Sequence, residues 1–206
     1  QLVLDAAENV YVVGYNTGSV TWNNSFTSSP KGTWNGFLLK YSSSGSFLWG
    51  TAVGASSSCF GGNCGVYFNN VVIDSQQRVV VGGNQLGHVS YAGKSYTGMG
   101  DWDIVVSRWQ ANGVHDWYSM TGSSGDDRVQ ALAVNPDDRP VVGGWLGGSS
   151  QFGSTILSNI SGESDFFIAQ LYANGQWDWA HKMGGTGNDT THALHVISDG
   201  TYVAGG

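Results

Sequence analysis

The sequence has little charge. Only 11% of its 206 residues are Asp, Glu, Lys or Arg, against about 25% in ordinary soluble domains. Lys and Arg number 8 against 15 Asp and Glu, a formal charge of −7 with no basic run, so electrostatic capture of nucleic acid is not expected. Proline occurs 3 times. No stretch approaches the roughly 20 uninterrupted apolar residues of a membrane helix, so no membrane insertion is expected. The segment from Gln1 to Tyr15 lacks a basic end and a cleavage pattern, so the chain reads as soluble and as either mature or cut. No segment keeps a helical period over ten residues. Enzyme signatures are missing too: there is no G-x-S-x-G, no G-x-x-x-x-G-K and no H-E-x-x-H. No catalytic residue, cofactor or enzymatic activity is expected.

What is present is glycine, 32 residues, and aromatic side chains, 9 Trp, 9 Tyr and 8 Phe. The aromatic content is too high for disorder, and the glycine follows no three-residue period, which excludes collagen. The two cysteines, Cys59 and Cys64, enclose Phe60-Gly61-Gly62-Asn63. That spacing is too wide for a redox C-x-x-C pair and the other ligands of a zinc site are missing. A short disulfide is expected, which implies a secreted, periplasmic or cell-surface protein; the alternative is two free thiols in a loop.

Internal repetition decides the fold class. Asn35 to Gly54, Asp103 to Gly122 and Asp165 to Gly184 align without a gap, superposing Gly45, Gly113 and Gly175, and Trp49, Trp117 and Trp179. A second block recurs four times, as Leu2 to Gly14, Val71 to Gly83, Leu132 to Gly144 and Leu194 to Gly206. The repeats run at about 2–70, 71–131, 132–193 and, incomplete, 194–206, in one domain spanning 1–206. Each yields four strand-like segments, in the third Gln130 to Asn135, Arg139 to Trp145, Asp165 to Tyr172 and Gln176 to Met183. Ala-Asn-Gly at 111–113 and 173–175 reads as tight hairpins. Leu146 to Ser164 must form a loop or hold an extra strand.

Four antiparallel strands repeated about every 60 residues, with both faces apolar, describe the blade of a β-propeller. The expected class is all-β, a propeller segment of about three four-stranded blades plus a hairpin. Such a segment cannot close a ring of four to eight blades. It is therefore read as part of a larger closed propeller, completed by the remainder of a longer chain or by other protein subunits.

Gly122, Asp127, Leu132-Ala133-Val134-Asn135, Val141-Val142-Gly143-Gly144, Asp165-Phe166-Phe167-Ile168, Asn174-Gly175 and Trp179 resemble the SBBP family, seven-bladed β-propeller repeats of bacterial and archaeal surface proteins. The resemblance covers the whole chain and implies the fold more than any function. The first repeat departs from it, with Asn35 and Val66 where later ones have Asp103 or Asp165 and Asp127 or Asp189. Those acids read as hydrogen-bonding groups at turns or strand ends.

The five histidines show no ligand spacing, since His192 and His195 would point to opposite faces of a strand. Asp101-Trp102-Asp103 and Asp137-Asp138 are too sparse for a calcium loop, and Gly185-Thr186-Gly187-Asn188-Asp189 reads as a turn. No metal site is expected. Asn23, Asn159 and Asn188 each open an N-glycosylation triplet. The recurring Trp49, Trp117 and Trp179 are expected to fill one interblade layer. The non-recurring Trp102, Trp145 and Trp177, with Asp103, are the candidate ligand contacts, since an indole face beside a carboxylate can stack on a sugar ring and bind its hydroxyls. The expected function is a non-enzymatic extracellular or cell-surface scaffold or protein-interaction module; the alternative is a carbohydrate-binding, lectin-like propeller that takes glycans.

Overall fold

The structure is a computed structural model that describes residues 1–30, 32–55, 63–158 and 164–197 in full and the backbone of 202–205. Among these, all regular structure is β-strand, so the chain is all-β as its sequence implied. The first unit consists of β1 (Leu2–Leu4), β2 (Val10–Asn16), the hairpin β3 (Val20–Trp22) and β4 (Phe26–Ser28), β5 (Asn35–Tyr41) and β6 (Phe47–Ala55). The second has β7 (Gly65–Ile73), β8 (Val79–Tyr91), β9 (Lys94–Trp109) and β10 (His115–Thr121). The third has β11 (Arg128–Val134), β12 (Pro140–Leu146), the hairpin β13 (Ser150–Phe152) and β14 (Thr155–Leu157), β15 (Asp165–Leu171) and β16 (Trp177–Met183). A hairpin of β17 (Ala193–Val196) and β18 (Tyr202–Gly205) follows.

The three units share one antiparallel meander: β1-β2-β5-β6, β7-β8-β9-β10 and β11-β12-β15-β16. The segments expected in the third unit match its strands to within two residues at each end. Strands β7 and β11 begin at Gly65 and Arg128, upstream of the repeat starts read at 71 and 132. The stretch from Leu146 to Ser164 does hold extra strands, the β13–β14 hairpin. It sets Phe152 5.5 Å from Phe167, as β3 sets Trp22 5.2 Å from Phe37 in the first unit. In the second unit the corresponding stretch is continuous with β8 and β9. This long arm reaches back to pair Ser90 and Val89 with Gly54 and Ala55 of β6, joining the first two sheets into one.

In all three units the first-to-second strand turn is built alike. Asp5, Asp74 and Asn135 each accept two backbone N–H groups on one side-chain oxygen: from Ala7 and Asn9, from Gln76 and Arg78, and from Asp137 and Arg139. Short acceptor side chains favour this local turn. It forces a left-handed residue, and that residue is Glu8, Gln77 or Asp138, with φ of 59, 61 and 58°, rather than glycine.

Packing explains why the strands alternate so weakly. Val79 and Val81 of β8 and Val105 of β9 join a core with Tyr11, Val13 and Leu38 of the first unit. The residues between them, Val80, Ile104 and Val106, join a second core with Val129, Val142 and Phe167 of the third. The middle sheet is thus buried on both faces. Among the described residues the array does not close on itself: Leu2 and Leu4 of β1 remain 62% and 53% exposed.

Candidate functional site

The units are tied by repeated contacts that account for the recurring residues. Trp49 Nε1 donates to Ala111 O at 3.2 Å and Trp117 Nε1 to Ala173 O at 3.1 Å, so each indole docks on the Ala-Asn-Gly turn of the following unit. The glycine there is required twice over: Gly175 has φ of 86°, and a Cβ on it would lie 2.6 Å from Trp117 Cδ2. At the other end of the strands, the N–H of Val66, Asp127 and Asp189 donates to the carbonyl of Trp34, Trp102 and Ser164. The turns are linked as well. Gln77 Oε1 accepts Ala6 N–H at 2.8 Å, and Asp138 accepts Ser75 N–H at 2.8 Å, Ser75 Oγ, Gln76 Nε2 and the Arg78 guanidinium. These donors hold the Asp138 carboxyl below its ordinary range against the opposing effect of burial.

Around the tie at Trp102, three units converge in a row of aromatic rings. Tyr15 lies 5.7 Å from Tyr67, Tyr67 lies 4.8 Å from Trp102, and Trp102 lies 5.1 Å from Trp34. Arg128 places its guanidinium 4.5 Å from the Trp102 ring centre and 5.7 Å from that of Tyr67, and hydrogen-bonds the Tyr67 hydroxyl and Asp126. Cation–π stacking and the double hydrogen bond fix the guanidinium in the row. Burial raises the Tyr67 hydroxyl, and the Arg128 charge partly offsets it. Tyr15 is 53% exposed, while Trp34 and Tyr67 are half-buried. The row therefore offers ring faces with the polar Asp126 at its margin.

The residues singled out in the sequence fall in three places. Trp102 belongs to the row but is only 9% exposed, so it backs the row more than it offers a face. Trp145 lies opposite Arg128 in the β11–β12 register, at the same end of the strands. Asp103, next to Trp102, is fully buried. Trp177 is apart from all three: it pairs with Leu171 at the opposite end of its sheet and packs edge-on against Phe152 at 4.9 Å. Cys64 is buried and no described cysteine is free, while Cys59 lies outside the described residues, as does the triplet opened by Asn159. His115 is a packing residue, set edge-on to Tyr91 and Trp109, and burial lowers its basicity. Among the described residues no group of three or more His, Cys, Asp or Glu side chains is arranged to hold a metal.

The acids at strand ends hydrogen-bond as their positions implied. Asp127 accepts Gly147 N–H at 2.9 Å on Oδ1 and Ser123 N–H at 2.5 Å on Oδ2, and Asp103 Oδ2 accepts Met99 N–H at 2.9 Å. Each strand-three residue Asn35, Asp103 and Asp165 lies against a glycine at the end of strand four, Gly54, Gly122 or Gly184, where a Cβ would collide with its side-chain oxygen. That contact is the physical content of the recurring Asp and Gly pair.

The class defined by these features is a repeat protein of stacked antiparallel β-meanders with an aromatic and arginine row across its unit junctions. No protein-family model matches the chain, and no curated relative matches it either.

Proposed function

We propose that the chain forms three blades and an opening hairpin of a β-propeller, acting as a non-enzymatic scaffold or protein-interaction module outside the cell. The supporting observation is the sideways stacking of the meanders through repeated ties. Their first strands lie together around a groove of about 460 Å³ lined by Leu4, Ile73, Leu132, Val134, Leu194 and Val196. Such a groove is what the innermost strands of a propeller would present to its axis. The SBBP-like residues and the expected Cys59–Cys64 bridge support a surface or secreted location. The test is electron microscopy of the native protein together with its denatured mass. A closed ring of four to eight blades, built from several copies or from a chain heavier than 21.8 kDa, is expected. A monodisperse open particle of 21.8 kDa would overturn the reading, as would a hydrolytic activity lost on substitution of a single Asp or His.

A second reading, carbohydrate binding, is favoured by the row of Tyr15, Tyr67, Trp102 and Arg128 with Trp145 beside it. Partly exposed ring faces edged by the Asp126 carboxylate suit the apolar and hydroxyl faces of a sugar. Tryptophan fluorescence should respond to a glycan, and Tyr67→Ala or Trp145→Ala should weaken that response at least about tenfold. Silence across a broad glycan panel would count against it.

A further inference from the structure

Two carboxyl groups meet at the junction of the second and third units. Asp103 lies in the buried half of β9 and Asp127 precedes β11, and both are fully buried at 0% exposure. Of their four oxygens, three accept a backbone N–H: Asp103 Oδ2 from Met99, Asp127 Oδ1 from Gly147 and Asp127 Oδ2 from Ser123. The fourth, Asp103 Oδ1, has no partner among the described residues and is pressed against Gly122. Buried polar atoms are rarely left so, and two buried carboxylates without a cation are rarely both ionised.

The charges acting on this pair are all acidic. Asp127 and Asp101 act on Asp103, and Asp126 acts on Asp127. The nearby cation, Arg128, is engaged by Asp126 and the Tyr67 hydroxyl. On the far side Tyr118 donates to Gln85 Oε1, and its phenol stays neutral because burial raises it well above its ordinary range. The next junction differs, because Lys182 Nζ lies 3.2 Å from Asp165 Oδ2 and supplies a countercharge. In the sequence the two acids come and go together. Asp103 is followed by Asp127 and Asp165 by Asp189, whereas Asn35 is followed by Val66. The uncharged first junction lacks both members, which marks them as one device.

We propose that Asp103 and Asp127 are protonated in mildly acidic surroundings, and that these protons keep the junction of the second and third units tight and let it loosen as the pH rises. Burial, then the neighbouring carboxylates, push Asp103 up to about 7; burial pushes Asp127 up to about 6. The folded state therefore holds more protons than the unfolded one. By linkage the stabilisation is present at low pH and is lost as pH climbs through these values.

The test is the unfolding equilibrium of the wild type and Asp103→Asn between pH 5 and 8. Asn is nearly isosteric and is the residue the first unit carries at this position, as Asn35. The unfolding constant of the wild type should rise at least about tenfold more over this range than that of the variant. Groups common to both proteins cancel in the difference. Asp165→Asn, whose partner Lys182 has no counterpart at the Asp103 junction, should keep the wild-type slope. Parallel profiles for wild type and Asp103→Asn would overturn the proposal. Should the variant fail to fold, infrared spectra of the wild type decide instead: a protonated carboxyl band that disappears near neutral pH is expected, and its absence at pH 5 refutes the protonated pair.

Discussion

Replacing Trp117 by alanine should loosen the second unit from the third. The indole packs against the core shared by those units, lies under Arg108 at 5.3 Å and donates to Ala173 O at 3.1 Å. Removing most of the ring from water contributes about 3 kcal/mol at ~25 cal/mol per Å², and the hydrogen bond adds about 1 kcal/mol. The sum, about 4 kcal/mol, falls in the usual range for large-to-small core substitutions. For a chain of this length it corresponds to a fall in Tm of roughly 8–16 °C. Differential scanning calorimetry and urea unfolding would measure it. Trp117→Phe keeps most of the area and loses the N–H, so it should cost about 1–2 kcal/mol. Gly175→Ala should destabilise the wild type through both its φ and the clash with the ring. In the Trp117→Ala background only the backbone strain of about 1 kcal/mol should remain, a coupling that a double-mutant cycle resolves. A Trp117→Ala variant within 0.5 kcal/mol of the wild type, taken as about the limit of additivity error, would remove the indole from the packed layer and refute the latch.

Asn135→Ala removes the acceptor of two backbone N–H groups and should lower stability by about 1–2 kcal/mol in urea unfolding. Glu8→Gly should be neutral or stabilise by up to about 1 kcal/mol, because it relieves a left-handed conformation, whereas Asp138→Gly at the matching position should destabilise by about 2 kcal/mol as its links to Ser75 and Arg78 are lost; equal effects by thermal denaturation would show that the turn-to-turn bonds contribute nothing. Gly122→Ala drives a methyl into Asp103 and should destabilise by about 2 kcal/mol or more, visible as a drop in the urea midpoint.

The repetition was legible because the residues that recur either touch the next unit or build the same turn within each unit. Trp49, Trp117, Gly113 and Gly175 hold the latch, and Asp5, Asp74 and Asn135 hold the turn, so one contact leaves one sequence mark per repeat. The second unit's arm was not legible, since Ser-Tyr-Ala-Gly-Lys at 90–94 reads equally well as a loop tip or a strand-crossing hairpin. The aromatic row was half legible. Trp102 and Trp145 stood out because they do not recur. Trp34, Tyr67 and Arg128 did not, because they come from positions 34, 67 and 128 of the chain, and only the stacking of three units brings them together. The one available signal was the substitution of Tyr67 by Arg128 at matching places in successive repeats, a ring exchanged for a cation that stacks on rings.

The arm formed by β8 and β9 also sets an order of assembly. When the chain has left the ribosome as far as Ala55, every strand of the first unit is available, yet the edge of β6 at Gly54 and Ala55 is still bare and waits for Val89 and Ser90. Tyr91, which bonds both Thr51 and Trp109, cannot complete that seam until β9 has also been made. The first two repeats therefore mature as one object of about twice the length, while the third is added to a finished surface. A truncation between them would strand the first.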